Sequence, residues 1–89
     1  MLKHREKILE ILAKSLESDV EQLNGIDDNY DLSLIGLTSV IAIEIIVYLE
    51  NEFDIFIDEE DLFTDNVNTL GKIDELIAKY TEEGVKING

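Results

Sequence analysis

No cysteine and no proline occur in this 89-residue chain, and it holds a single histidine. Without cysteine there is neither a disulfide framework nor a thiolate metal site, so the fold has to rest on its apolar core. A reducing compartment is compatible with that. With no proline, internal repeat or low-complexity linker, nothing marks a domain boundary, and residues 1–89 read as one small domain with a helical core over about 5–80. The lone His4 lacks a ligand-spaced partner and lies near a terminus expected to fray, which assigns it to the surface and predicts no metal site.

Basic residues are scarce as well. Seven Lys and Arg stand against 21 Asp and Glu, a formal charge of -14, and so acidic a surface repels nucleic acid and anionic lipid headgroups. Its natural partners carry basic patches. No apolar run reaches membrane-spanning length, and the opening Met-Leu-Lys-His-Arg-Glu-Lys is charged rather than a signal core. These absences predict a soluble, cytoplasmic, monomeric protein with no nucleic-acid and no membrane partner.

What is present is helical. Hydrophobic residues make up 45% of the chain, enough for one modest core at this size. From Arg5 to about Leu16, Ile8, Leu9, Ile11, Leu12 and Leu16 fall on one helical face. Ser18-Asp19-Val20-Glu21 has the spacing of a capping box and predicts one short turn, stopped by Asn24-Gly25. Val40 to Phe53 is rich in β-branched residues that would suit a strand, but its length exceeds the usual strand. Ala42, Ile46, Leu49 and Phe53 form a helical stripe assigned to the core.

Phe53, Ile55 and Ile57 alternate with other residues, but no partner strand exists, so this piece reads as a loop. Asp58 to Phe63 predicts an acidic turn or two. A last helix follows Thr69 as N-cap, with Leu70, Ile73, Leu76, Ile77 and Tyr80 inward, and ends before Gly84. The expected fold is an all-α, small four-helix bundle with a short third helix, its core built from Leu12, Leu16, Ile46, Leu49, Phe53, Ile73 and Ile77.

Thr38-Ser39 stands where the central loop enters the second long helix, and either residue suits a cap. On that helix Val40, Glu44, Val47 and Asn51 repeat opposite the core stripe, which leaves two valines beside carboxylates on an outer face. Such a face fits docking of basic partners, whereas scattered surface valines need no explanation at all.

The stretch "DLSLIGLTSVIAIEIIVYLENEFDIFIDEEDL" resembles the central segment of acyl and peptidyl carrier proteins: an acidic loop, a Gly-x-x-Ser element, then an acid-studded helix ending in Glu-x-Phe. The opening helix and "TLGKIDELIAKY" are similar to the family's first and last helices, so the resemblance covers essentially the whole chain. It implies that Ser39 is an attachment point and not a nucleophile of catalysis. A phosphopantetheinyl transferase would move 4'-phosphopantetheine from coenzyme A to that hydroxyl, and the arm's thiol would hold an acyl or aminoacyl thioester.

The resemblance further implies loading and downstream synthase or transferase enzymes as partners, with Glu44 as best-matched contact. Val40 and Val47 would add apolar area, Glu50 or Glu52 field, and Thr38 a position read by the transferase. The family usually has Asp before the serine. Thr38 keeps a capping oxygen there and loses a carboxylate, which points to a specialised pathway, polyketide or nonribosomal peptide, over housekeeping fatty-acid synthesis. Met1 and the lack of a flanking domain predict a stand-alone carrier. A fatty or polyketide chain would slip partly between helices, while an amino acid would stay outside.

Rival chemistries fit less well. Asp27, Asn29 and Asp31 match the first, third and fifth positions of a calcium loop, but Leu32 and Thr38 stand where Gly and Glu are needed. Ser39 has no candidate base except the distant His4, which argues against a Ser-His hydrolase, and the resemblance implies a carrier that is not itself an enzyme. Asp58 to Asp61 reads as a solvated charge run. The alternative from another class is a non-loaded acidic adaptor, in which Ser39 only caps its helix.

Overall fold

The computed structural model describes residues 3–83. In chain order the α-helices are α1 (Arg5–Ser15), α2 (Val20–Leu23), α3 (Ser39–Phe53) and α4 (Leu70–Ala78), and no strand occurs among the described residues. A 3₁₀ turn, Leu32–Ile35, precedes α3, and α4 runs on into a π-helical turn, Lys79–Glu83. The short third helix expected at Asp58–Phe63 takes the form of two 3₁₀ turns, Glu59–Asp61 and Thr64–Asn66. Gly84, the expected stop of the last helix, lies outside the described residues.

Helix α1 packs against α2, α3 and α4, so its apolar face is the centre of the bundle. Ile8, Leu9, Ile11 and Leu12 meet Ala42, Ile45, Ile46 and Leu49 of α3 and Leu70, Ile73, Leu76 and Ile77 of α4 in one cluster, all buried. Burying each such side chain contributes roughly 1.5–3 kcal/mol relative to leaving it in water. Leu16, Phe53 and Tyr80, expected inside, are half-buried at its rim. The position left out of the expected α3 stripe is Ile45, which is fully buried.

The connections are anchored as firmly as the helices. Leu23 at the end of α2, Leu32 in the first 3₁₀ turn, and Leu37, Ile57 and Val67 from the connections drop into the core. The Arg5 guanidinium donates to the carbonyls of Asn24 at 2.6 Å and Ile26 at 3.2 Å and pairs with Asp28 at 3.2 Å. Gly71 N–H donates to Asp28 O at 3.0 Å, and a Cβ there would come within 3.4 Å of that oxygen. The loop between α2 and the first 3₁₀ turn is thereby tied to both α1 and α4.

Two local expectations change. Ser18 is not a capping-box serine: the N-cap of α2 is Asp19, and Ser18 Oγ bonds Gln22 Oε1 at 2.7 Å. His4 is not free at the surface. It is the N-cap residue of α1, its N–H donates to Asp74 Oδ1 at 3.2 Å, and its ring meets Phe53 edge-on at 5.0 Å.

Candidate functional site

Gly36 sets up the site. With φ at 113° it closes the first 3₁₀ turn in the left-handed region that glycine enters without strain. Leu37, the next residue, is buried, and the chain then returns to the surface at Thr38, Ser39 and Val40. Asp31 starts the same turn by accepting from Ser33 N at 3.0 Å and Ser33 Oγ at 2.7 Å. The Ser33 hydroxyl first, and its N–H second, hold the Asp31 carboxyl below its ordinary range. Asp27 Oδ1 likewise accepts the Asn29 N–H, so two of the three calcium-loop candidates cap their own loop.

The cap of α3 belongs to Thr38. Its Oγ1 accepts the Ile41 N–H at 3.3 Å, and Thr38 has the extended backbone of an N-cap. Ser39 is therefore the first residue of the helix proper and exposed, and its hydroxyl makes no hydrogen bond among the described residues. The N–H groups of Ser39 and Val40 likewise have no acceptor there. An exposed hydroxyl stands beside unspent donors at the positive end of a 15-residue helix.

Around that hydroxyl the surface is apolar. Val40 is 73% and Val47 48% exposed, and Glu44 is exposed between them, as the outer stripe predicts. Ile43, at 56%, enlarges the patch, and Leu34, at 70%, is exposed in the turn before α3; sequence reasoning missed both. Helical spacing could have found Ile43: Val40, Ile43, Glu44 and Val47 fall within an arc of roughly 100°. Leu34 sits in a 3₁₀ turn with no periodicity to betray it. The first turn of α3 has no acidic residue.

Glu50 is placed differently from the rest of the expected docking set. It is half-buried, and its Oε2 accepts the Ile57 N–H at 2.9 Å. Glu52 pairs with Lys7 at 3.1 Å, a bond that raises the Lys7 ammonium above its ordinary value. His4 lies beside Phe53, at the opposite end of α3 from Ser39, with about 20 Å of helix between them at 1.5 Å per residue. It is no base for the serine.

A family model described as a phosphopantetheine attachment site matches residues 6–77. The chain belongs to that family. No curated protein and no solved structure matches it. The family carries 4'-phosphopantetheine covalently, and this is the cofactor of the chain, whose role is that of an acyl/peptidyl-type carrier. The residues present fit the group: an exposed, unbonded serine hydroxyl adjoins free N–H groups suited to a phosphate. No helix among the described residues is long and apolar enough to cross a membrane.

Proposed function

We propose that Ser39 is the attachment residue and that the chain delivers acyl or aminoacyl intermediates between enzymes without catalysing their chemistry. The observation that carries this is the division of labour at the helix start: Thr38 holds the cap, which leaves Ser39 Oγ unbonded and in water. During loading the Ser39 oxygen forms its bond to phosphorus as the pyrophosphate link of coenzyme A breaks. The adenosine bisphosphate departs, and the serine proton passes to the transferase. Once bound, the arm supplies a thiol, which this cysteine-free chain lacks, and holds cargo as a thioester.

The partners on this reading are a phosphopantetheinyl transferase, a loading enzyme and downstream synthases or transferases. Val40, Ile43 and Val47 offer them apolar area, with Glu44 supplying charge for basic rims. Glu50 serves the fold instead. Thr38 in place of the family's usual aspartate favours a specialised route, polyketide or nonribosomal peptide. On the adaptor alternative Ser39 served only as a cap; because Thr38 makes the capping bond, that reading gives the exposed serine no role.

Intact-protein mass spectrometry tests this. After incubation with coenzyme A, magnesium and a broad-specificity transferase, the protein gains one phosphopantetheine, and Ser39→Ala does not. No gain with two unrelated transferases in excess would overturn the assignment and leave an acidic adaptor.

A further inference from the structure

The loop after α3 carries Phe56, which keeps 79% of its surface in water, more than any other large apolar side chain among the described residues. Nothing about the loop is slack. The Ile55 N–H donates to Glu50 O at 3.1 Å, the Ile57 N–H to Glu50 Oε2 at 2.9 Å, and the Asp58 N–H to the Tyr80 hydroxyl at 3.2 Å. Ile55 is half-buried and Ile57 buried, so burial alternates along 55–57 as it does in a strand and turns Phe56 outward. A backbone held on both sides of an exposed phenylalanine presents that ring at little further entropic cost to binding.

The charges that flank Phe56 in sequence are acidic, and Lys79, which the last turn brings to Asp61 and Glu60, is paired with Asp61. Asp54, Asp58 and Glu59 are exposed and make no ion pair among the described residues, and Glu60 is exposed beside them in sequence. We propose that Phe56 anchors a second docking surface, separate from the face around Ser39, for a partner protein that offers an apolar pocket rimmed by Lys or Arg. An aromatic side chain filling a pocket inside a polar rim is the arrangement that concentrates binding energy in one residue. A second copy of this chain would set -14 against -14, and nucleic acid or an anionic membrane meets the same repulsion. Because Ser39 begins α3 and the loop is bonded to Glu50 about three turns further along the helix, a partner held at the loop leaves the helix start open. The inference stands whether or not Ser39 is loaded.

The probe is a synthetic amphipathic helical peptide with a leucine face bordered by lysine and arginine, titrated into the full chain and followed by amide chemical shifts. The footprint falls on residues 54–60. Phe56→Ala weakens binding about fivefold or more, Phe56→Leu restores most of it, and Val20→Ser, an exposed apolar position on α2, changes it less than about twofold. Added salt weakens the wild-type complex. Phe56 is exposed, so its variants keep the fold, and an unchanged far-ultraviolet spectrum checks that. A footprint confined to residues 40–47, an unaffected Phe56→Ala, no binding at all, or a concentration-dependent dimer abolished by Phe56→Ala would each overturn the proposal.

Discussion

Thr38 caps the helix that Ser39 begins: Thr38 Oγ1 accepts the Ile41 N–H at 3.3 Å, and the Ser39 hydroxyl has no partner among the described residues. The two adjacent hydroxyls thus have separate jobs, and mutation separates them. Thr38→Ala loses a capping bond and costs about 1 kcal/mol of stability, while Ser39→Ala changes stability by less than about 0.5 kcal/mol. Thr38→Asp keeps a capping oxygen and stays near wild type. Urea denaturation of the three variants checks this, and a Ser39→Ala loss as large as that of Thr38→Ala would return the cap to the serine.

Glu50 is the acid that the fold has taken for itself. Its carboxylate holds the Ile57 N–H beside a buried Ile57, so Glu50→Ala strands a donor and costs roughly 1–2 kcal/mol. Glu50→Gln retains an acceptor and loses less. Amide hydrogen exchange reports the local event, because protection at Ile57 drops in the alanine variant and survives in the glutamine one. Equal protection in both would show that the carboxylate contributes nothing to the loop.

How much of this was legible depended on how local the cause was. Helices α1, α3 and α4 announced themselves through length and apolar spacing, and Thr69 caps α4 through Lys72 N as its position implied. Ile45 was overlooked because a four-residue stripe is narrower than the face a helix buries between two neighbours. Leu32, Leu37 and Val67 lie in aperiodic segments, where burial follows from the path of the whole chain. His4 bonds Asp74, 70 residues away, a contact no local pattern encodes. At the site, the exposed valine face could be read from helical spacing, whereas Ser39 was singled out over an ordinary cap only by the family resemblance. Assigning the cap to Thr38 instead of Ser39 required the backbone, since either hydroxyl was chemically suitable.

Asp61 departs from the solvated charge run expected of it. It accepts from Lys79 Nζ at 2.8 Å and from the Tyr80 hydroxyl, tying the segment after α3 to the C-terminal turn. The Lys79 bond first and the Tyr80 bond second hold its carboxyl below the ordinary value, whereas burial and then Asp61 push the Tyr80 hydroxyl up. A depressed carboxyl stabilises the fold above its unfolded pKa and loses that contribution as pH falls through the folded one. A raised tyrosine is favourable below its unfolded pKa and loses its contribution as pH rises through the folded one. The cluster therefore supports the fold between about pH 4 and pH 10. Tyr80→Phe costs roughly 1–2 kcal/mol at pH 7. Lys79 is largely exposed, and solvent screening makes Lys79→Gln the milder change despite its larger effect on the Asp61 carboxyl. Denaturation at pH 7 and below pH 3 decides: the gap between wild type and Tyr80→Phe narrows in acid, and a constant gap would remove Asp61 from the account.

Glu17 closes α1 in a conformation that glutamate adopts at a cost. Its φ is 54°, the Ser18 N–H reaches back to Ala13 O at 2.8 Å, and the Glu17 N–H to Lys14 O at 3.4 Å, which is the Schellman pattern usually built on glycine. The side chain is exposed and makes no compensating bond among the described residues. Glycine relieves the left-handed strain of roughly 1–2 kcal/mol but adds freedom to the unfolded chain, for a net gain of about 0.5–1 kcal/mol. Asp54, at the same φ after α3, carries a shorter side chain that tolerates this region better, so Asp54→Gly gains less. In urea, Glu17→Gly shifts the midpoint upward with an unchanged slope. A midpoint at or below wild type would mean that the glutamate costs the folded state nothing.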